Sequence, residues 1–170
     1  MNPILRTTAA LLLTLAPAAL LAEPPAPKAE GSKADELPIY DATSIGALAV
    51  EAASKIAADS GRRLMVNFGV DDCAPCHVVN DAIYEEPFVT AFFKQFVPVF
   101  VDVSPGSKNR ALLDRYGIDP SKGFPAIVLS DETLRVAEAT KAGELVAVAG
   151  KGKEAVQAWI LKRFKVEEGK

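Results

Sequence analysis

The stretch RRLMVNFGVDDCAPCHVVNDAIY, Arg62 to Tyr84, carries two cysteines two residues apart, followed at once by the chain's only histidine. Two chemistries share that pattern: Cys73, Cys76 and His77 can form a C-x-x-C-H haem-attachment box, or Cys73 and Cys76 can form a redox dithiol. The two demand different folds, so the flanking residues decide between them. Leu64, Met65, Val66 and Phe68 make a short apolar run that stops at Gly69, which predicts a largely buried strand. After the pair, Val78, Val79, Ala82 and Ile83 keep helical spacing until Pro87 disfavours helical geometry at Glu86. The cysteines therefore fall at a strand-to-helix junction.

A cysteine in the first turn of a helix meets unpaired backbone N–H groups and the positive end of the helix dipole, both of which favour thiolate over thiol. Cys73 is placed to be the attacking thiol. Cys76, one turn on, is placed to resolve a mixed disulfide on Cys73, and Pro75 is tolerated because the first turn has N–H groups to spare. The haem reading, a c-type cytochrome, lacks a second axial ligand: beyond Met1 the only methionine is Met65, upstream in the expected buried strand. Zinc fares worse, since Cys73, Cys76 and His77 are too few for a closed structural site without an Asp.

The first residues read as a secretory signal peptide, 1–22: Arg6 is the only charged side chain, an apolar run extends from Ala9 to Leu21, and small residues end at Ala22. Cleavage after Ala22 puts Leu20 at the minus-three position; cleavage after Ala18 puts Ala16 there. The run is shorter than the roughly 20 residues a bilayer span requires, and Pro17 interrupts it, so no stable membrane anchor is expected. Export to the periplasm or the medium would place the thiols in an oxidising setting. With two cysteines in the chain, an intramolecular bridge joins Cys73 to Cys76. So short a loop constrains the unfolded chain very little, which makes chemistry the better reason for the pair. Residues 23–36, rich in Pro, Ala and charge, read as a flexible linker, and 37–170 as one domain of ordinary size. The net charge of −3 gives no sign of nucleic acid or of an anionic membrane surface as a partner.

Along that domain, Ile45, Leu48, Ala49, Ala52 and Ile56 fall at helical spacing, with Thr43 or Ser44 to cap the start and Gly61 to end it. A short helix over FVTAFFKQF, with Phe88, Phe92, Phe93 and Phe96 in the core, is followed by a strand over Val97–Val103. KNRALLDRYG reads as a helix closed by Gly117, FPAIVLSDETLRVAEA as a hairpin around SDET, and KEAVQAWILKRF as a last helix that buries Val156, Trp159 and Ile160. Strands separated by helices are expected to pair in parallel, with the hairpin adding an antiparallel pair: an α/β class with a mixed central sheet flanked by helices.

This order, the C-A-P-C at a helix start after an apolar strand, and GFPAIVL downstream resemble the thioredoxin-like family, over roughly Ala42 to Phe164. The resemblance implies a thioredoxin-like fold and a thiol–disulfide oxidoreductase acting on protein disulfides or thiols. It also implies that Pro125 follows a cis peptide bond and packs against the cysteines, so that Phe124 and Pro125 join Ala74 and Pro75 as substrate-binding or supporting residues. Where thioredoxin usually has a Trp, a buried Asp and a Lys, this chain has Asp72, Asn67 and Pro98. Asn67 cannot take a proton, so deprotonation of Cys76 needs water, His77 or an acid such as Asp71. Asn67, Asp72 and His77 are candidate tuning residues: Asp72, with Asp71, acts against a thiolate, and His77, if protonated, favours one. The Ala-Pro between the cysteines, similar to thioredoxin's Gly-Pro, leans towards a reductase or isomerase. No metal or organic cofactor is expected. A membrane-embedded redox partner that resets the dithiol is implied, and a thioredoxin-like binding or chaperone module stands as the other alternative.

Overall fold

The computed structural model of the protein describes residues 38–166, apart from 132, 134 and 142. The expected signal peptide and linker lie outside the described residues, as does most of the charged tail. Within them the chain runs α1 (Gly46–Ser60), β1 (Arg63–Gly69), α2 (Ala74–Tyr84), α3 (Phe88–Gln95), β2 (Phe96–Asp102), α4 (Ala111–Tyr116), β3 (Ala126–Ser130), β4 (Val136–Ala139), α5 (Glu144–Ala149) and α6 (Lys153–Phe164). Short 3-10 turns at Lys108–Arg110 and Pro120–Lys122 lead into α4 and towards β3.

The four strands form one mixed sheet in the order β2-β1-β3-β4, flanked by helices, the fold expected from the sequence. Its internal pairing departs from expectation. β1 runs parallel to β2, but β3 lies against β1 antiparallel, with Phe68 opposite Ala126, and β4 continues antiparallel past an irregularity at Leu129/Ser130. Separation by a helix does not fix strand direction, because a long connection can return the chain to either end of the sheet. Pro98, which has no N–H to give to a ladder, is accommodated because β2 is an edge strand.

Alternation along β1 separates two cores. Met65 packs on one face with Val79 and Ile83 of α2, Phe92 of α3, and Val156 and Ile160 of α6. Leu64, Val66 and Phe68 pack on the other with Val50, Ala53 and Ala57 of α1 and Leu113 of α4. The phenylalanine group falls in the first core as expected, with Phe93 only partly buried. Trp159 is not fully buried as the sequence suggests; its Nε1 donates to Glu144 Oε1 at 3.2 Å on α5, a helix the sequence pattern did not reveal.

α1 turns a different face to the sheet than its apolar spacing predicts. Ile45, Leu48 and Ile56 are 53%, 59% and 51% exposed, while Gly46, Val50, Ala53 and Ala57 are buried. Small side chains win because the helix sits close: a Cβ on Gly46 would lie 2.7 Å from Val101 Cγ1. Neither Thr43 nor Ser44 caps it. Ile45 holds the N-cap position, and the cap comes from far away: Asn109 Oδ1 accepts from Gly46 N at 2.7 Å while Asn109 Nδ2 donates to the carbonyls of Ser44 (3.1 Å) and Asp102 (3.0 Å). Gly61 ends α1 in the left-handed conformation, φ 64°, as expected.

Candidate active site

β1 ends at Gly69, and after three intervening residues Cys73 occupies the N-cap position of α2, in extended conformation. Its Sγ accepts from Cys76 N at 3.2 Å, as a capping side chain does. Ala74 and Pro75 follow as the first helical residues, where proline's missing N–H costs no hydrogen bond. Cys73 and Cys76 are joined in a disulfide with Cα atoms 5.2 Å apart. The two sulfurs are unequal. Cys73 is partly exposed, whereas Cys76, on the buried face of α2 with Val79 and Ile83, has no accessible surface.

Antiparallel pairing of β1 and β3 brings the start of β3 beside the end of β1, so the loop before β3 meets the loop that carries Cys73. There the Phe124–Pro125 peptide bond is cis, Pro125 is buried immediately ahead of β3, and Phe124 O lies 3.5 Å from Cys73 Sγ. In the reduced protein that carbonyl can accept from the Cys73 thiol.

The tuning candidates separate. Asp72 is exposed. His77 is exposed and its Nε2 lies 2.6 Å from Asp71 O, so the ring donates to the loop backbone through Nε2–H. Asp71 Oδ1 accepts in turn from Ile39 N at 3.0 Å, tying the segment before α1 to the site loop. Asn67 is completely buried on β1, and neither its Nδ2 nor its Oδ1 has a hydrogen-bond partner of normal geometry; the same holds for the hydroxyl of Tyr40.

Tyr40 is the site-proximal residue that sequence reasoning missed. It is 1% exposed, packs edge-on against Phe100 with centroids 5.8 Å apart, and lies so close over Gly69 that a Cβ there would be 2.3 Å from its Cζ. Glycine at 69 is what admits the ring. Burial pushes the Tyr40 phenol well above its ordinary range; the neighbouring Asn67 amide offsets part of this and the Asp71 charge adds to it. The phenol and the amide thus sense each other although no bond of normal length and angle joins them. An isolated aromatic in LPIYDAT, outside any periodic pattern, was the only sequence signal.

A haem held by this box would need both sulfurs as thioethers and His77 as a ligand, and a six-coordinate one a further ligand besides. Here the sulfurs are bonded to each other, His77 Nε2 is engaged by Asp71 O, and Met65 is sealed in the core. These residues do not fit the group. Among the described residues no cluster of three or more His, Cys, Asp or Glu could hold a metal ion.

An outer sulfur within reach of a partner and an inner sulfur shut off from solvent, one turn behind it, suit thiol–disulfide exchange: the first can be attacked or attack, the second acts only intramolecularly. The class defined by the site is a thiol–disulfide oxidoreductase. A family model described as thioredoxin-like matches residues 44–132. The chain therefore belongs to the thioredoxin-like family. Among solved structures it resembles a disulphide isomerase from Xylella fastidiosa Temecula1, at 23% identity and TM-score 0.69 over 75% of this chain and 98% of that one. A thioredoxin from Thermus thermophilus matches at 21% identity and TM-score 0.45, over 69% and 88% of the two chains. The first of these likenesses is one of fold. No curated protein sequence matches the chain.

Proposed function

We propose that the protein is an exported thiol–disulfide oxidoreductase that acts on disulfides of other proteins in the reductase or isomerase direction. The observation that carries this reading is the inequality of the two sulfurs: Cys73 caps α2 and is partly exposed, and Cys76 is buried behind it. In the reducing direction the Cys73 thiolate attacks a substrate disulfide, forming one S–S bond and expelling a substrate thiolate that takes up a proton. Cys76 then gives up its proton and attacks Cys73 Sγ; the second substrate sulfur leaves with the bonding pair and is protonated, and the protein keeps the disulfide. The Phe124 carbonyl beside Cys73, together with Ala74, Pro75 and Pro125, gives the substrate chain a backbone edge to lie along. A dithiol donor, proposed to be membrane-embedded, returns the pair to the reduced state.

Trapping tests this directly. Cys76→Ser, expressed in the native compartment, should accumulate mixed disulfides through Cys73, visible as reducible bands on a gel, and Cys73→Ser should accumulate none. A blank trap with Cys76→Ser overturns the reading. Direction follows from the reduction potential of the pair: a reductase should lie nearer thioredoxin's roughly −270 mV than the roughly −120 mV of a strong periplasmic oxidant. Intact mass of the exported protein should show loss of 1–22.

A further inference from the structure

The disulfide fixes Cys73 only while the bond exists. Once the pair is reduced, Cys73 keeps the N-cap position of α2 only through the chain around it. Downstream, α2 holds it: Cys76 N and His77 N both donate to Cys73 O, at 2.9 and 3.2 Å. Upstream, the carbonyl of Gly69 at the end of β1 accepts from Val103 N at 2.9 Å. Between these anchors Val70, Asp71 and Asp72 belong to neither strand nor helix, and both acidic residues are exposed. A loop without a ladder of its own takes its shape from the partners its polar groups find.

Asp71 finds partners on two elements at once. Its Oδ1 accepts from Ile39 N at 3.0 Å, and its backbone carbonyl lies 2.6 Å from Nε2 of His77 on α2. Ile39 is itself anchored, because the next residue, Tyr40, is buried and lodged over Gly69. The loop is pinned at its middle residue to the segment before α1 and to the helix it leads into. The charge of Asp71 works against this: a carboxylate two residues before Cys73 opposes a thiolate there. Position and charge therefore predict opposite effects of removing the side chain, which makes them separable.

We propose that Asp71 is a positioning residue for the attacking thiol. Clamped between the Ile39 N–H and the His77 ring, it holds the loop so that reduced Cys73 keeps its capping geometry, with Sγ accepting from Cys76 N, and that hydrogen bond favours the thiolate.

This inference deepens the exchange reading above and rests on it. The test is the pH dependence of Cys73 alkylation by iodoacetamide in the reduced protein, with the modified residue located by mass spectrometry; the midpoint reports the thiolate. The other charged or titratable groups on the surrounding elements are Asp72 in the loop, His77 and Asp81 on α2, and Asp119 and Lys122 ahead of β3, all unchanged in the Asp71 variants. Asp71→Asn keeps an acceptor oxygen for the Ile39 N–H and removes the charge. Asp71→Ala removes both, and its midpoint should lie at least about half a pH unit above that of Asp71→Asn, which is about threefold less thiolate at a pH below both. A smaller gap overturns the proposal, since charge alone would then account for Asp71. Should Asp71→Ala fail to fold, the decision passes to His77→Leu against His77→Gln, whose amide can still donate to Asp71 O: the Leu variant should have the higher midpoint by the same margin, and coincident midpoints overturn the clamp. Reduction of a protein disulfide is measured alongside. A wild-type protein that reduces none, while its variants show the expected midpoints, refutes the functional reading and supports the clamp.

Discussion

Asn109→Ala should be among the most destabilising single changes outside the core. The side chain is 4% exposed and makes three hydrogen bonds that join two separate parts of the chain: Gly46 N donates to Oδ1 at 2.7 Å, and Nδ2 donates to Ser44 O and Asp102 O. Each net hydrogen bond contributes about 1 kcal/mol, and the buried Gly46 N–H left without an acceptor adds a desolvation cost of about 1–3 kcal/mol. A loss of roughly 4–6 kcal/mol is expected, a large share of the 5–15 kcal/mol that holds a typical domain. Urea unfolding followed through Trp159, the only tryptophan, reads it as a lower midpoint with an unchanged slope. The control is the cap the sequence suggests: Thr43→Ala and Ser44→Ala should each cost under about 0.5 kcal/mol, as exposed or peripheral substitutions do. An Asn109→Ala protein within 1 kcal/mol of wild type, or a Ser44→Ala protein equally damaged, would refute the long-range cap.

Two further outcomes check the packing and the site. Leu48→Gln, on the exposed face of α1, should change stability by less than about 0.5 kcal/mol, whereas Val50→Ala should cost roughly 1–3 kcal/mol; the opposite ranking would mean the helix is turned the other way. Tyr40 ionises in the unfolded chain near 10.0 but above that when folded, so the folded state holds its proton more tightly. Its contribution to stability is complete below pH 10 and declines as pH rises beyond it, so wild type should lose more stability than Tyr40→Phe between about pH 10 and pH 12. Parallel pH–stability curves for the two proteins would show that the phenol is not held neutral by burial.

Much of the site was readable because its parts are local. The strand before Cys73, the proline-tolerant first turn and the helical spacing after Cys76 are adjacent in the chain, and each follows from propensity and period alone. Phe124 and Pro125 entered through family resemblance. Asn67 was recognised as a non-titrating residue in a strategic place, but its burial against Tyr40 depends on contacts across 27 residues that no local pattern encodes. His77 illustrates the same limit: its position beside the pair is a fact of sequence, its hydrogen bond to Asp71 O a fact of how the loop turns.

What the sequence by itself determined is the set of elements other than α5 and the place of the cysteine pair at a strand-to-helix junction, because periodicity, helix ends and cysteine spacing act within a few residues. Only the tertiary structure decided the direction of β3 against β1, the face α1 buries and the source of its cap. Those depend on which distant surfaces fit: Gly46 and the alanines let α1 approach the sheet closely, and Asn109 reaches N–H and C=O groups that Thr43 and Ser44 leave unpaired. The same distant fitting places Phe124 O against Cys73 and closes Tyr40 over Gly69, which turns a dithiol in a sequence into a site.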